Sequence, residues 1–580
     1  MKNENYTDSN SEDSDPFTRI MDQVGSHPKN KFQMVYKWVF IVGLSAFGSL
    51  IYMNIFLALD EPDHWCNVPG REQTNLTLDE WRDLTLPKEL DNRKVETFSR
   101  CKMYDRNYTD VTLMLSSGFN VTDADAVECA FDFSYNKTWY GSTITSQESW
   151  VCEKELYVTN TFVINRVAEV MGALVLGQMG DTYGRRPVYY IGAVLSTIGR
   201  CLCAITTSSF SLFLITSSLA ALTVNSLFQS PVVIAMEISG EDERSSIALY
   251  QSFGWFLGTT AMPFVFWWLR DWIPFLLITT LPTLLVFLFY KYAIESPRWL
   301  ISRRRYADAL VQFKTIAFLN GRSITTTEKE LTDLFGNSEE ESMYGVASLF
   351  NSWRIAKNTI IMGFSWCILA LSYFTLVLIS SRMGGNPFLN FSLQNFVEIP
   401  ACILGKFLGD KYGRRVTSSI SYLVCFLSCI PVIMFAQNTE YENLMTLIAT
   451  FIKLLTAVVY FLLSLQSMEI YPTCLRQTGI AVGTILYNAF GVLAPYVVHL
   501  GTKLDIRYPY FILGGLFLIG GVSGLFLPET LHYKLPDTME EAKSFGKNQK
   551  FFSLPRPRYE LRFDESSTAK EKLNQTKYAP

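Results

Sequence analysis

The heptapeptide GDTYGRR at residues 180–186 recurs as GDKYGRR at residues 409–415, with six of the seven positions identical. A second pair of motifs follows, each with the same spacing between a glutamate and an arginine: Glu237 with Arg244, and Glu469 with Arg476. Two repeats in the same register indicate a chain built from two halves that are related by a parallel internal repeat.

Each half is rich in long apolar runs. The 580 residues are 49% apolar, 14% aromatic and only 18% charged, with a net charge of −4. Runs such as residues 35–59 and 272–293 are long enough to cross a hydrocarbon core of roughly 30 Å as helices, so a large soluble enzyme is disfavoured. We predict twelve spans, at residues 36–59, 157–180, 187–206, 209–236, 246–269, 273–293, 356–380, 388–409, 416–437, 443–467, 477–500 and 508–528.

Basic residues set the orientation of these spans. Lys29, Lys31 and Lys37 lie at or just before the first span, and the polar N-terminal tail has no apolar core of a cleavable signal peptide. The positive-inside rule therefore predicts cytoplasmic termini in a multi-pass plasma-membrane protein. The predicted regions are a tail (1–35), a first bundle (36–293) with an outward loop (60–156), a cytoplasmic linker (294–355), a second bundle (356–528) and a C-terminal tail (529–580).

The outward loop carries an even set of cysteines, at Cys66, Cys101, Cys129 and Cys152. In an oxidising compartment these predict two disulfides, and three pairings remain open. The same loop contains four glycosylation sequons, at Asn75, Asn107, Asn120 and Asn136. Their clustering in one loop favours glycosylation. The other seven cysteines are interpreted as small apolar packing residues.

The sequence lacks the motifs that are typical of nucleotide-binding, metal-dependent and hydrolytic sites. The chain has no P-loop, no H-E-x-x-H and no Ser/His/Asp set, and it has only four histidines. We therefore expect neither an enzyme nor a metal or other cofactor. The slightly negative net charge gives no reason to expect a nucleic-acid partner. The expected partners are a small organic solute and the lipid bilayer, and we expect a monomer, with an oligomer left open.

The repeated motifs suggest a gate. Glycines allow tight turns, and the Asp and Arg side chains can pair across helix ends on the cytoplasmic face. Such pairs would hold the two halves together while the carrier is open outward and would break when it opens inward. The alternative is that the arginines only follow the positive-inside rule. The candidate gating residues are Asp181, Arg185, Arg186, Glu237, Arg244, Asp410, Arg414, Arg415, Glu469 and Arg476.

These motifs resemble known ones. Residues 181–186 (DTYGRR) resemble the major facilitator loop motif, and ESPRWL at 295–300 and PET at 528–530 are shared by sugar carriers and organic ion transporters. The large outward loop, with PDHWC at 62–66 and EIYPT at 469–473, resembles the organic cation, carnitine and organic anion transporter family. The resemblance spans about residues 15–545 and implies an all-α membrane protein with a major facilitator fold. It also implies twelve transmembrane helices in two six-helix bundles and a disulfide-bonded extracellular loop.

The resemblance also implies positions that line a central cavity. Aromatic faces bind ammonium groups, each worth up to about 2 kcal/mol when desolvated. The alternative is that these aromatics only pack between helices. The matched positions are Trp366, Tyr373, Tyr460, Phe461, Phe228, Asn225, Tyr250 and Gln251.

Charge inside the spans is the remaining signal. Glu398 lies within the eighth span, where a charge is costly unless it pairs or faces a cavity. Its V-E-x-P context resembles the cation and carnitine branches, and pairing with Lys453 is the alternative. Asn488 stands where cation carriers have Asp and where anion and carnitine carriers have Arg. Arg166 and Glu169, three residues apart, can neutralise each other on one helix.

These features predict a polyspecific transporter of small organic cations or zwitterions, similar to biogenic amines or carnitine, that works by alternating access. An organic anion exchanger of the same family is the alternative, and Glu398→Gln discriminates the two because it should impair only cation uptake. A receptor or channel is disfavoured by the repeated gate motifs. A sugar porter is disfavoured by the outward loop and by the aromatic, Glu-containing cavity.

Overall fold

The computed structural model describes residues 16–25, 27–90, 96–106, 108, 125–239, 241–336, 346–380, 385–472, 475–531, 536, 539–547 and 549. The side chains of residues 241–245, 439 and 477 lie outside this description. Helices dominate, and every predicted span coincides with helical structure.

The first six spans are long helices, two of which change helix type along their length. The first span passes through a π-helical stretch, and the sixth continues as a 3₁₀-helix that begins at Leu281 next to Pro282. The bounds are Lys31–Val35, Tyr36–Gly43 and Leu44–Ala58 (first span), Leu156–Tyr183, Arg185–Thr206, Phe210–Ile238, Glu241–Leu269, and Trp272–Thr280 with Leu281–Tyr292 (sixth span). The fourth and fifth spans carry proline inside the helix, at Pro231 and Pro263.

The last six spans include two that are broken. The bounds are Trp353–Ser380, Pro387–Phe396 with Glu398–Tyr412 (eighth span), Arg414–Phe435, Glu442–Ile470, Arg476–Gly491 with Ala494–Lys503 (eleventh span), and Tyr508–Gly524. Within the described residues, nine helices are long and apolar enough to cross a membrane, and Tyr508–Gly524 is a shorter apolar helix. Together with the fifth span, Glu241–Leu269, and the two pieces of the eighth span, this is the pattern of an all-α protein with twelve spans.

Proline and glycine explain where two spans break or end. Pro400 has no N–H to give to the carbonyl of Phe396, so the eighth span breaks at Val397. Gly184 (φ 106°) and Gly413 (φ 91°) follow the second and eighth spans in a backbone conformation that favours glycine. A tight turn then leads directly into the next span.

The chain divides into two compact units. Unit 1 contains Met1–Glu89, Glu96–Glu341 and Asn386–Asn395, and unit 2 contains Leu90–Val95, Ser342–Gly385 and Phe396–Pro580. The first half of the eighth span therefore belongs to unit 1, whereas the sequence analysis assigns the whole span to the second bundle. Its Phe388 packs against Phe266 with ring centroids 5.7 Å apart.

Two disulfides organise the outward loop. The pairing is Cys66–Cys129 and Cys101–Cys152, which settles the choice that the sequence left open. Trp81 packs in a small apolar core beside Cys66. Asn75 and Asn136 are exposed, whereas Asn107 and Asn120 lie outside the described residues. Where the structure describes the loop, it contains three two-stranded sheets: His64–Cys66 with Phe133–Tyr135, Lys88–Leu90 with Glu96–Phe98, and Lys102–Tyr104 with Ala126–Glu128. The same described part contains four short helices, Arg71–Gln73, Leu78–Thr85, Ile144–Gln147 and Cys152–Lys154.

Short helices also occupy the predicted cytoplasmic segments. Their bounds are Pro16–Val24, Pro297–Ser302, Tyr306–Leu319, Glu328–Phe335, Val346–Phe350 and Met539–Ser544, and a 3₁₀ turn at Thr439–Tyr441 precedes the tenth span. In unit 1 the N-terminal segment is fastened to the linker by Asn320. Its amide donates to the carbonyl of Val24 at 3.1 Å, and its oxygen accepts from the N–H of Phe32 at 2.9 Å.

Candidate functional site

A buried ion pair lies at the centre of unit 2. The Glu398 carboxylate, 5% exposed, lies 3.1 Å from the ammonium of Lys453, which is fully buried. Lys453 Nζ also lies 3.1 Å from the centre of the Tyr373 ring. The sequence analysis favoured a carboxylate available to cargo, but the structure has the alternative that it named, the pair with Lys453.

The break in the eighth span positions this carboxylate. Because the helix restarts after Val397, Glu398 lies in the first turn of the second piece. The N–H groups at a helix start carry a partial positive charge that favours a carboxylate there. Discontinuous helices are also where many transporters bind their substrates.

Three aromatic rings meet edge to face in the same unit. The ring centroids of Trp366 and Tyr460 are 5.6 Å apart, those of Trp366 and Tyr487 are 5.9 Å apart, and those of Tyr460 and Tyr487 are 6.2 Å apart. Gly483 allows this contact, because a Cβ there would lie 2.7 Å from the Trp366 ring nitrogen. Tyr460 lies seven residues after Lys453 on the same helix, so the ring and the partner of Glu398 share one helix face.

Two other predicted positions of unit 2, Asn488 and Phe461, do not belong to this trio. Asn488 is buried beside Tyr487 in the chain. Phe461 packs instead on the eighth span, where it contacts the site of Gly405 and the apolar cluster that contains Ala401. Tyr487 was quoted only as sequence context for Asn488, and the structure makes it the ring that links Trp366 and Tyr460.

The predicted positions of unit 1 form two groups. Phe228 is buried against Trp255, with ring centroids 5.3 Å apart, and Asn225 on the same helix is half-buried. Tyr250 has the ammonium of Lys37 4.5 Å from its ring centre, near the start of the first span. The neighbouring Gln251 donates to Gln229 at 3.1 Å.

The repeated motifs build matching ion-pair clusters in the two units. Arg185 lies 3.1 Å from Asp181 and 3.3 Å from Glu237. In the second unit, the corresponding contacts of Arg414 are 3.2 Å to Asp410 and 3.6 Å to Glu469. Each of these four ion pairs joins residues of one unit. That the motifs also hold the two halves together stays a prediction. The side chain of Arg244 lies outside the described residues, and Arg476 is half-buried.

Two further carboxylates complete these clusters. Glu295 accepts hydrogen bonds from the backbone N–H groups of Arg185 and Arg186, both at 3.0 Å. Glu529 does the same for Arg414 and Arg415, at 2.9 and 3.1 Å. These N–H groups begin the third and ninth spans and have no partner within their own helix. The sequence analysis used both glutamates only as family marks, and the structure gives them a capping role.

The chain is similar to known proteins over most of its length. Residues 108–541 match the family described as sugar (and other) transporters. The chain is 28% identical over 519 residues to the carcinine transporter of Drosophila melanogaster, which covers 87% of this chain and 76% of that protein. It is 26% identical over 517 residues to the beta-alanine transporter of the same organism (85% and 83% covered).

Two further likenesses concern a human protein and a solved structure. The chain is 26% identical over 506 residues to human organic cation/carnitine transporter 2 (84% and 87% covered). Its fold is similar to that of the xylose transporter XylE from E. coli in a partially occluded, inward open conformation. The TM-score is 0.54 at 13% identity, with 86% and 100% of the two chains covered. At that identity the likeness shows the fold alone.

Proposed function

Because this chain belongs to the family of sugar (and other) transporters, we propose that it carries small organic cations or zwitterions across the plasma membrane by alternating access. Membership makes it a multi-pass membrane transporter of small organic solutes and not an enzyme. The cargo class, the membrane and the cytoplasmic placement of both termini are parts of the proposal.

The observation that carries the proposal is the set of solutes for which its relatives are named. Three of these relatives are named for carcinine, beta-alanine and carnitine. Each of these solutes carries an amine or a quaternary ammonium group, which an aromatic face attracts. An organic anion exchanger, the second candidate, has no comparable support.

The aromatic trio and the Glu398–Lys453 pair are the proposed cation site. The rings of Trp366, Tyr460 and Tyr487 contact one another edge to face. Cation–π attraction to such a ring is worth up to about 2 kcal/mol when desolvated. An arriving ammonium group replaces Lys453 at Glu398, so the carboxylate keeps a counter-charge throughout. If the cargo is cationic, the membrane potential supplies about 2.3 kcal/mol per charge per 100 mV for its entry.

The cytoplasmic clusters are the proposed gating elements. Each keeps a loop and the ends of its neighbouring spans in one arrangement through Arg185 or Arg414. A bundle can move as a rigid body only if its loop is fixed to its helices by contacts such as these ion pairs. Without them, the loop would deform before the bundle moved.

Uptake in cells that lack endogenous carriers tests the proposal. The probes are a permanent cation, carnitine and an aromatic carboxylate. We expect uptake of the first two, a loss of at least tenfold with Glu398→Gln, and partial retention with Glu398→Asp, which keeps the charge. Glu440→Gln, at an exposed turn of the same unit, is the matched control. Uptake of the carboxylate alone would contradict the cargo class.

A further inference from the structure

A second group of ionisable side chains lies inside unit 1, apart from the gating cluster. Arg166 and Glu169, on the second span, form an ion pair at 2.8 Å, and both are buried. The Tyr52 hydroxyl accepts from Arg166 and donates to Glu169 at 3.2 Å. This trio is therefore neutral, with its charges and hydroxyl directed at one another.

Arg200, on the third span, adds a charge that this trio does not cancel. Its guanidinium is 2% exposed and donates to the carbonyl of Ile51, at 3.2 and 3.3 Å, and to the hydroxyl of Ser217, at 3.3 Å. Among the carboxylates of the described residues, none forms an ion pair with it. Hydrogen bonds to neutral oxygens satisfy its donors but supply no negative charge. Glu169, which lines the same pocket, already pairs with Arg166, so the group keeps a net positive charge, which is costly in an apolar bundle.

A small pocket opens beside these groups. Its cavity volume is about 10 Å³, the space of about one water-sized particle, and its polar lining consists of Tyr52, Asn165, Arg166, Glu169 and Arg200. Asn165 is buried, and its amide nitrogen donates to Ser217 at 2.8 Å. Its oxygen accepts no hydrogen bond from the described residues. Ala221 and Val224 form part of the apolar wall.

We propose that this pocket binds one small monovalent anion, which supplies the counter-charge of Arg200. The anion is either the carboxylate end of a zwitterionic cargo or a free ion such as chloride. A guanidinium presents a planar fork of donors that fits a carboxylate in two hydrogen bonds. The enclosed space admits one small ion or the tip of a head group and not a whole organic cation. The inference rests on the proposed function only where the anion belongs to the cargo.

Paired probes separate the two sources of the anion. Carnitine and choline share a trimethylammonium group, and only carnitine has a carboxylate. If the cargo supplies the anion, Arg200→Gln raises the half-saturating concentration of carnitine about tenfold, as for loss of one charged hydrogen bond, and leaves choline unchanged. If chloride supplies it, replacement of chloride by gluconate lowers uptake of both solutes, and Arg200→Gln abolishes this dependence.

A second variant protects the test against misfolding. Ala221→Leu fills the pocket from its apolar wall and removes no charge, so it should reproduce either effect. Arg71→Gln, at an exposed site of the outward loop, is the control for loss of an arginine. Equal responses of wild type, Arg200→Gln and Ala221→Leu to both cargo and chloride would overturn the anion site.

The inference can fail independently of the proposed function. If wild type takes up neither solute, the proposed function fails, and the pocket is then tested on the purified full chain in lipid nanodiscs. Chloride or acetate should raise the melting temperature of wild type by more than that of Arg200→Gln, relative to gluconate at equal ionic strength. Equal melting shifts in the two proteins would overturn the pocket.

Discussion

Glu169 and Glu398 occupy equivalent positions of the internal repeat, since each lies eleven residues before the glycine that opens the loop motif, Gly180 or Gly409. Both carboxylates are buried, and each is paired with a cation. Each cation also faces a tyrosine ring in its own unit. The repeat therefore extends beyond the motifs to a carboxylate–cation–tyrosine arrangement within each unit.

The two pairs differ in where the cation is attached. Glu169 pairs with a residue three positions earlier on the same helix, so no helix movement separates that pair. Glu398 pairs with Lys453, which lies on the tenth span, so a shift between the eighth and tenth spans separates it. Only the second pair can open and close with the transport cycle.

Removal of Lys453 should destabilise the protein through the charge that it leaves behind. Lys453→Met strands Glu398 in the bundle, and breaking one partner of a buried pair costs about 3–5 kcal/mol. We expect a clear fall in melting temperature that the double variant with Glu398→Gln largely restores. Thermal unfolding of the purified protein measures this, with Lys137→Met at an exposed loop position as the control. Additive effects of the two substitutions would argue against the pair.

Two of the motif glycines should be less tolerant of a side chain than a third glycine that also has a positive φ. A Cβ on Gly184 or Gly413 would collide with the carboxylate of Glu295 or Glu529, in addition to the strain of a positive φ. Gly321 has φ +70° but nothing within 4 Å of its Cβ position. Alanine at 184 or 413 should therefore lower the folded yield at the cell surface well below that of Gly321→Ala. Equal yields would mean that φ strain alone decides.

The twelve spans, the repeat and the two-disulfide loop were predictable because each depends on local composition or on identical short motifs. Glu295 and Glu529 were recognised as motif letters, but their hydrogen bonds to Arg185 and Arg414 depend on how two chain segments meet. The spacing of residues along the sequence does not determine how these two segments pack together.

The parts of the site that the sequence left open or missed share one cause. Pairing of Lys453 with Glu398, and the contact of Tyr487 with Trp366, depend on the rotation of whole helices about their axes. Periodicity defines a face of a helix but not the neighbour that the face meets. One signal was available in the sequence. Glu398 lies as far before its loop motif as Glu169 lies before the other one, so the two carboxylates could be recognised as equivalent.

The outward loop should lose stability in mild acid through His64. Burial is the main cause that lowers the pKa of this imidazole, while Glu61 at 3.6 Å acts in the opposite direction. A lowered pKa means that the unfolded state binds the proton more tightly, so stability is complete above the unfolded pKa of about 6.5 and falls as pH drops below it. Melting temperatures between pH 7.5 and 5.5 should fall less for His64→Gln than for wild type. Substitution of the exposed His27 should leave the wild-type slope unchanged.

Glycosylation tests the orientation of the same loop. Asn75 and Asn136 are exposed and lie in sequons, so an extracellular loop should carry glycans on both. Asn75→Gln and Asn136→Gln should each remove one glycan-sized step of electrophoretic mobility, and the double variant should remove two. Asn5→Gln and Asn574→Gln, in the tails expected to be cytoplasmic, should cause no shift. A shift with either tail variant would reverse the proposed topology.

The ring of Tyr487, and not its hydroxyl, should matter for cation uptake. Its centroid lies 5.9 Å from that of Trp366, so the ring completes the aromatic trio. Tyr487→Phe keeps the ring and its electrostatic face, whereas Tyr487→Leu keeps apolar bulk and loses the face. With cation–π attraction of about 2 kcal/mol at a desolvated site, the leucine variant should raise the half-saturating concentration of a permanent cation about thirtyfold. The phenylalanine variant should remain near wild type, and a large loss with both variants would assign the role to the hydroxyl instead.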